Sequence, residues 1–119
     1  MSLKLAYVNV FVSDLERSLA FFEAKLGLEV QMKALDFGYA SFATEHVGFA
    51  LAQTDDTTLT GRHTGVGFSV VDLQGEYESL KAKGVSFAMP PEKQPWGGFM
   101  ATFQDPDGNV YYLDQINHD

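Results

Sequence analysis

The chain holds few groups able to do chemistry: three histidines (His46, His63 and His118), no cysteine, and 16 acidic residues against 8 basic ones. Without cysteine, disulfides and thiolate chemistry are excluded, and a structural zinc site lacks its usual ligands. No motif assembles a serine with a histidine and an acid, so nucleophilic catalysis has little support. His46 falls in a turn, His118 at a terminus, and His63 beside a linker at Arg62, so each reads as an ordinary surface histidine. The net charge of −8 argues against nucleic acid, because neutralising phosphates takes a basic patch. Two meanings of the charge stay open: solubility, and attraction of a cationic ligand.

The elements that must position any site are legible from turn formers and periodicity. Asp105-Pro106-Asp107-Gly108-Asn109 is a run of turn residues between the apolar stretches Phe99–Phe103 and Val110–Leu113, which predicts a hairpin. Residues 4–12 have strand composition, with Val8, Val10 and Val12 alternating against Tyr7, Asn9 and Phe11. Ser13-Asp14-Leu15-Glu16 then fits a capping box with Ser13 as cap, although Asp14 serves equally well. Leu15, Leu19, Phe22 and Leu26 follow at helical spacing, and Gly27 stops the helix. Three strands are expected at about 28–34, 38–44 and 47–53, and residues 54–63 read as a linker.

The second half repeats the first. A strand at 64–71 precedes Asp72, and Leu73, Tyr77 and Leu80 stand 58 residues after Leu15, Leu19 and Phe22. Gly84 ends this helix as Gly27 ends the first, one residue earlier than that offset requires. Strands at about 85–89, 98–103 and 109–115 complete the unit, with Pro90 to Gly97 read as a Pro-rich loop. The expectation is a single α+β domain built by internal duplication. Its two tandem βαβββ modules, at about 4–53 and 64–115, would form a curved-sheet cleft. No apolar run approaches the roughly 20 residues of a membrane span. The opening Met1-Ser2-Leu3-Lys4 lacks the apolar core of a signal peptide, so a cytoplasmic location is expected.

The run Val12-Ser13-Asp14-Leu15-Glu16-Arg17-Ser18-Leu19-Ala20-Phe21-Phe22, with Leu26-Gly27, resembles the opening of vicinal oxygen chelate proteins. That superfamily includes glyoxalase I, extradiol dioxygenases, and fosfomycin and bleomycin resistance proteins. Trp96-Gly97, Phe103 and Asp105 to Asn109 resemble its closing strands. The resemblance implies paired βαβββ modules and a homodimer. In the family's enzymes it also implies one divalent metal held by His or Glu from inward-facing strand positions, acting as a Lewis acid. Carried onto this chain, the four ligand positions fall on Tyr7, Gly65, Tyr112 and Ala50, the last open to a one-residue slip onto Phe49 or Leu51. None is a metal ligand. A two-residue shift along a strand keeps its face and would offer His63, Asp114 and, weakly, Asn9.

Where the family's metal ligands stand, Tyr7 and Tyr112 offer flat apolar faces that carry a hydroxyl. With Asn9 beside Tyr7, and Tyr39, Phe49, Trp96 and Phe99 as further walls, these are the expected ligand-binding residues. Such a lining suits stacking on aromatic ligands and cation–π contact with cationic ones. The leading expectation is a metal-independent small-molecule binding protein of the bleomycin-resistance type, with no catalytic residue and no cofactor. The alternative is a glyoxalase- or dioxygenase-like enzyme with an atypical metal site or metal-free acid/base chemistry. A third is a regulatory or structural dimer without a small ligand. Expected partners are a small molecule and a second copy of the chain, and neither nucleic acid nor membrane.

Overall fold

Asp14 has extended backbone and its carboxylate accepts the Arg17 N–H at 3.1 Å, so it caps the first helix. Ser13 is left to accept from the Arg17 guanidinium at 3.0 Å. Asp72 caps the second helix in the same way, accepting from the Gly75 N–H at 3.1 Å. The computed structural model describes residues 2–116. They form two compact units that divide between Thr60 and Gly61.

Unit one comprises β1 (Tyr7–Val12), α1 (Leu15–Ala20) continued by a π-helical turn (Phe21–Lys25), β2 (Val30–Ala34), β3 (Tyr39–Phe42) and β4 (Gly48–Gln53). A short 3-10 turn, Leu35–Phe37, links β2 to β3. Unit two comprises β5 (His63–Val70), α2 (Leu73–Ala82), β6 (Ser86–Lys93), β7 (Phe99–Gln104) and β8 (Val110–Gln115). The sheet orders are β1-β4-β3-β2 and β5-β8-β7-β6, each with its first and last strands parallel and the rest antiparallel. This is the duplicated βαβββ arrangement of an α+β protein.

A second device is shared by the two units. The side chain of Gln53, at the end of β4, accepts the Leu15 N–H at 2.8 Å, and that of Gln115, at the end of β8, accepts the Leu73 N–H at 3.1 Å. Each glutamine thereby satisfies one of the orphan donors of a helix N-terminus and ties that helix to its sheet.

The helix ends differ by one residue. In unit two the Val85 N–H reaches the Leu80 carbonyl at 3.0 Å, with Gly84 at φ 90, the usual glycine-terminated stop. In unit one the Leu26 N–H bonds to the Phe21 carbonyl at 3.3 Å and the Leu28 N–H to the Phe22 carbonyl at 3.0 Å, around Gly27 at φ 74. The wider π turn holds one extra residue. That residue explains why Gly84 falls one position short of the 58-residue offset.

Each helix lies on one face of its own sheet. In unit one Val10, Val12, Leu15, Leu19, Phe22, Phe42, Phe49 and Leu51 are buried. In unit two Leu73, Leu80, Val85, Met100, Ala101, Phe103, Tyr111 and Leu113 are buried. Phe103 and Tyr111 stack with ring centroids 5.2 Å apart.

The turn between β7 and β8 is tied from inside. One oxygen of the buried Asp105 carboxylate accepts the N–H groups of Asp107 (2.9 Å) and Asn109 (3.0 Å). The other accepts the Asn109 amide (3.0 Å) and the Tyr111 hydroxyl (2.7 Å). Asn109 in turn accepts from the Gly61 and Arg62 N–H groups at 2.8 and 3.3 Å. Gly61 and Arg62, which read from sequence as linker, are therefore clamped to this hairpin, and His63 already belongs to β5.

Three expectations change. The first strand begins at Tyr7, not at residue 4. The first helix does not stay α-helical to Leu26, because the π turn replaces its last part. Pro90 and Pro91 lie inside β6, not in a loop. β6 is an edge strand, and its register shifts between Met89 and Glu92, so the missing proline N–H groups break no interior ladder.

Candidate functional site

Residues opposite one another in register share a face. In unit one Tyr7, Asn9 and Phe11 of β1 lie opposite Gly48, Ala50 and Ala52 of β4. Ala50 and Ala52 pair in turn with Ser41 and Tyr39. Val10, Val12, Phe49 and Leu51 have the opposite parity and pack in the helix-covered core. The other face thus carries Tyr7, Asn9, Phe11, Tyr39 and Met32. Tyr7 is 63% exposed, and a Cβ added at Gly48 would meet the Tyr7 Cβ at 3.2 Å, so glycine leaves room beside this ring.

Unit two presents the same construction with more polar chemistry. Tyr112 lies opposite Gly67 on one side and Thr102 on the other. One step along, Asp114 lies between Ser69 and Met100, and Glu92 follows Met100 on β6. The helix-free face therefore centres on a half-buried tyrosine beside a glycine gap, with the half-buried Met89, the buried Met100 and two carboxylates around it. Aromatic face, thioethers and carboxylates together suit a planar ligand bearing positive charge.

His63 shares this face by alternation with Gly65, Gly67 and Ser69, and a local irregularity sets its position along β8. The β5–β8 register shifts between His63 and Gly67, and Gly65 sits at φ 75, a conformation that favours glycine. The Gly65 N–H bonds to His63 Nδ1 at 3.1 Å. Thr64 Oγ1 accepts the Val66 N–H at 3.1 Å and donates to the Val110 carbonyl at 2.7 Å. The imidazole packs against Tyr112, with ring centroids 4.7 Å apart and planes inclined by 55°.

The expected ligand-binding residues divide accordingly. Tyr7, Asn9 and Tyr39 share the uncovered face of unit one, and Tyr112 occupies that of unit two. Phe49 does not join them. It is buried against Phe22 and Phe42, at centroid distances of 5.5 and 5.6 Å, because its strand parity points it toward the helix. Phe99 shares the parity of Ala101 and Phe103 and so lies on the helix side of its sheet, away from Tyr112. Trp96 is 73% exposed in the turn between β6 and β7, its indole folded over Gly98, where a Cβ would lie 2.8 Å from Nε1. His46 sits in the exposed bend between β3 and β4, 3.9 Å from Glu45. His118 lies outside the described residues. Phe11, Met32, Met89, Glu92 and Met100 are additions that strand parity reveals, and His63 and Asp114, offered from sequence only as substitute metal ligands, lie on the Tyr112 face.

The donor set does not fit the divalent metal of the family's enzymes. In unit one Tyr7 and Ala50 share a face with no register slip and offer a phenol and a methyl, and in unit two Gly65 and Tyr112 offer a hydrogen and a phenol. Among the described residues no three His, Asp or Glu side chains gather to hold a metal ion. A depression of about 170 Å³ in unit one is lined by Ser13, Thr54, Asp55, Asp56, Thr57 and Thr60. The Thr58 hydroxyl and amide hold the Asp56 carboxyl below its ordinary pKa, so this is a solvated acidic loop and lacks aromatic walls.

Over residues 4–111 the sequence matches the family model described as the Glyoxalase/Bleomycin resistance protein/Dioxygenase superfamily. The chain belongs to that superfamily. Among solved structures it is similar to a glyoxalase/bleomycin resistance protein/dioxygenase superfamily member from Sphaerobacter thermophilus DSM 20745, with TM-score 0.83, 29% identity and coverage of 97% of this chain and 98% of that one. It is also similar to TnmS3, an antibiotic binding protein from Streptomyces sp. CB03234, with TM-score 0.83, 26% identity and coverage of 98% and 99%. Among sequences, it is 26% identical to YetH, an uncharacterized protein of Bacillus subtilis (strain 168), across 92% of this chain and 96% of that protein. Within the superfamily, then, this member keeps the duplicated βαβββ modules. No helix among the described residues is long and apolar enough to cross a membrane.

Proposed function

We propose that this protein binds a planar, cationic aromatic small molecule without a metal, holding it by stacking on the helix-free sheet face of unit two that carries Tyr112. The observation that carries this reading is Tyr112 set beside the side-chain-free Gly67, with Asp114 and Glu92 on the same face. The net charge of −8 adds long-range attraction for a cation. The likeness to an antibiotic binding protein supports a sequestering role, with an antibiotic-like molecule as ligand.

Naphthylmethylamine, a fluorescent planar cation, is a suitable probe. Tyr112→Ala is expected to weaken its binding by about 1–3 kcal/mol, the loss for an aromatic anchor, with little change in the unfolding midpoint. Asp114→Asn is expected to weaken binding less and to reduce its dependence on salt. Binding that is indifferent to Tyr112→Ala would remove the assignment.

A second copy of the chain is the protein partner we propose. Leu3, Leu5 and Tyr7 are 86%, 74% and 63% exposed, an apolar strip leading into an edge strand. Sedimentation at micromolar concentration is expected to give twice the chain mass. A single species of one chain mass would refute the dimer. An acid–base enzyme is the second reading, and the contact between the His63 and Tyr112 rings favours it. Turnover abolished by His63→Phe would decide in its favour.

A further inference from the structure

We propose that His63 is a specificity-determining hydrogen-bond donor of the ligand face, so that the aromatic ligand carries an acceptor atom on or beside its ring. The inference rests on the binding role proposed above and adds a chemical requirement to it. The argument starts from the Gly65 N–H, which donates to His63 Nδ1 at 3.1 Å. A ring nitrogen that accepts a hydrogen bond carries no proton, so in the neutral imidazole the proton is on Nε2. The tautomer is thus set by the bulge itself.

The bulge also sets the direction in which that proton points. Gly65 adopts φ 75 and the strand register shifts between His63 and Gly67, which frees the Gly65 amide from the ladder to hold the ring. The Tyr112 ring supports the imidazole from one side at 4.7 Å between centroids. His63 is exposed, which leaves Nε2–H room to meet a ligand at the edge of the tyrosine platform. A molecule stacked beside Tyr112 in the gap over Gly67 would present its edge to this donor. Asp114, the next residue on this face of β8, offers the opposite polarity. The face therefore has a donor end at His63 and a carboxylate end at Asp114. It reads an aromatic ligand with an acceptor toward one end and a cation toward the other.

The test compares naphthylmethylamine with its quinoline analogues, which match it in size and charge but replace one ring CH by an acceptor nitrogen. The wild-type protein is expected to bind at least one quinoline analogue about five- to tenfold more tightly, the effect of one hydrogen bond. His63→Phe keeps an aromatic ring on Tyr112 but removes the donor. His63→Asp keeps an acceptor for the Gly65 N–H, and so the bulge, and likewise removes the donor. Both variants are expected to bind the two probes equally. Because the readout is a ratio within each protein, a general loss of packing cancels. A quinoline preference that survives both substitutions overturns the proposal, as does a wild-type protein that binds both probes through Tyr112 without preference. In the latter case the binding role stands. If neither probe binds, both fall together.

Discussion

Phe22→Ala is expected to destabilise the protein by about 3–5 kcal/mol, the range for truncating a buried phenylalanine. Phe22 is fully buried, and its ring meets Phe21, Phe42 and Phe49 at centroid distances of 5.2, 5.7 and 5.5 Å. These neighbours sit on the helix and on two strands, so none can close the cavity without moving backbone. Domains of this size have net stabilities of roughly 5–15 kcal/mol, so the loss is a large share of the whole. Denaturant unfolding followed by circular dichroism measures it. A loss below about 1 kcal/mol would show that the cluster is not packed as described.

The second large effect is expected at the hairpin. Asp105→Asn should cost about 2–4 kcal/mol, because all four partners of the carboxylate are donors and an amide has only one acceptor oxygen. The Tyr111 hydroxyl can turn to accept, but the Asn109 amide cannot flip, since its oxygen already holds the Gly61 and Arg62 N–H groups. Burial pushes the Asp105 pKa above its ordinary value, against the hydrogen bonds from Tyr111, Asn109 and Asp107 that pull it down. Burial, followed by the Asp105 charge, also raises the Tyr111 pKa, which keeps the phenol a donor. The sign for stability follows from proton binding. The folded state holds the Asp105 proton more tightly, so this contribution is full below the ordinary carboxylate value of about 4 and is lost as pH rises through the elevated one. The stability gap between wild type and Asp105→Ala should therefore be wider at acid pH than at pH 7. A gap that widens with rising pH would contradict the assignment.

What the sequence made legible were features whose cause is local. Asp14 can be proposed as a cap because capping needs only a short polar side chain before an apolar helical stripe. The hairpin at Asp105 to Asn109 was visible for the same reason. What escaped depends on partners far along the chain. Gln53 and Gln115 act on Leu15 and Leu73, 38 and 42 residues away, with nothing local to mark them. Phe49 and Phe99 read as walls from their aromaticity, but a one-residue difference in parity decides which side of a sheet a side chain faces. His63 looked like a linker residue because the glycine two positions on, which bends the strand beneath it, also resembles a turn signal. Pro90 and Pro91 pointed to a loop, and only knowing that β6 is an edge makes them compatible with a strand.

The π turn at Phe21–Lys25 bears on how such duplicated units can change length. One residue added to an ordinary α-helix rotates everything beyond it by about 100°, which would swing Gly27 and Leu28 off course and misdirect β2. Here the extra residue is absorbed within a single widened turn, so the helix keeps its capped start, its glycine stop and the strand that follows. The halves of a duplicated chain can thus drift out of sequence alignment while remaining superimposable as objects. For protein engineering, this turn is a place where a codon can be removed or restored without redrawing the sheet.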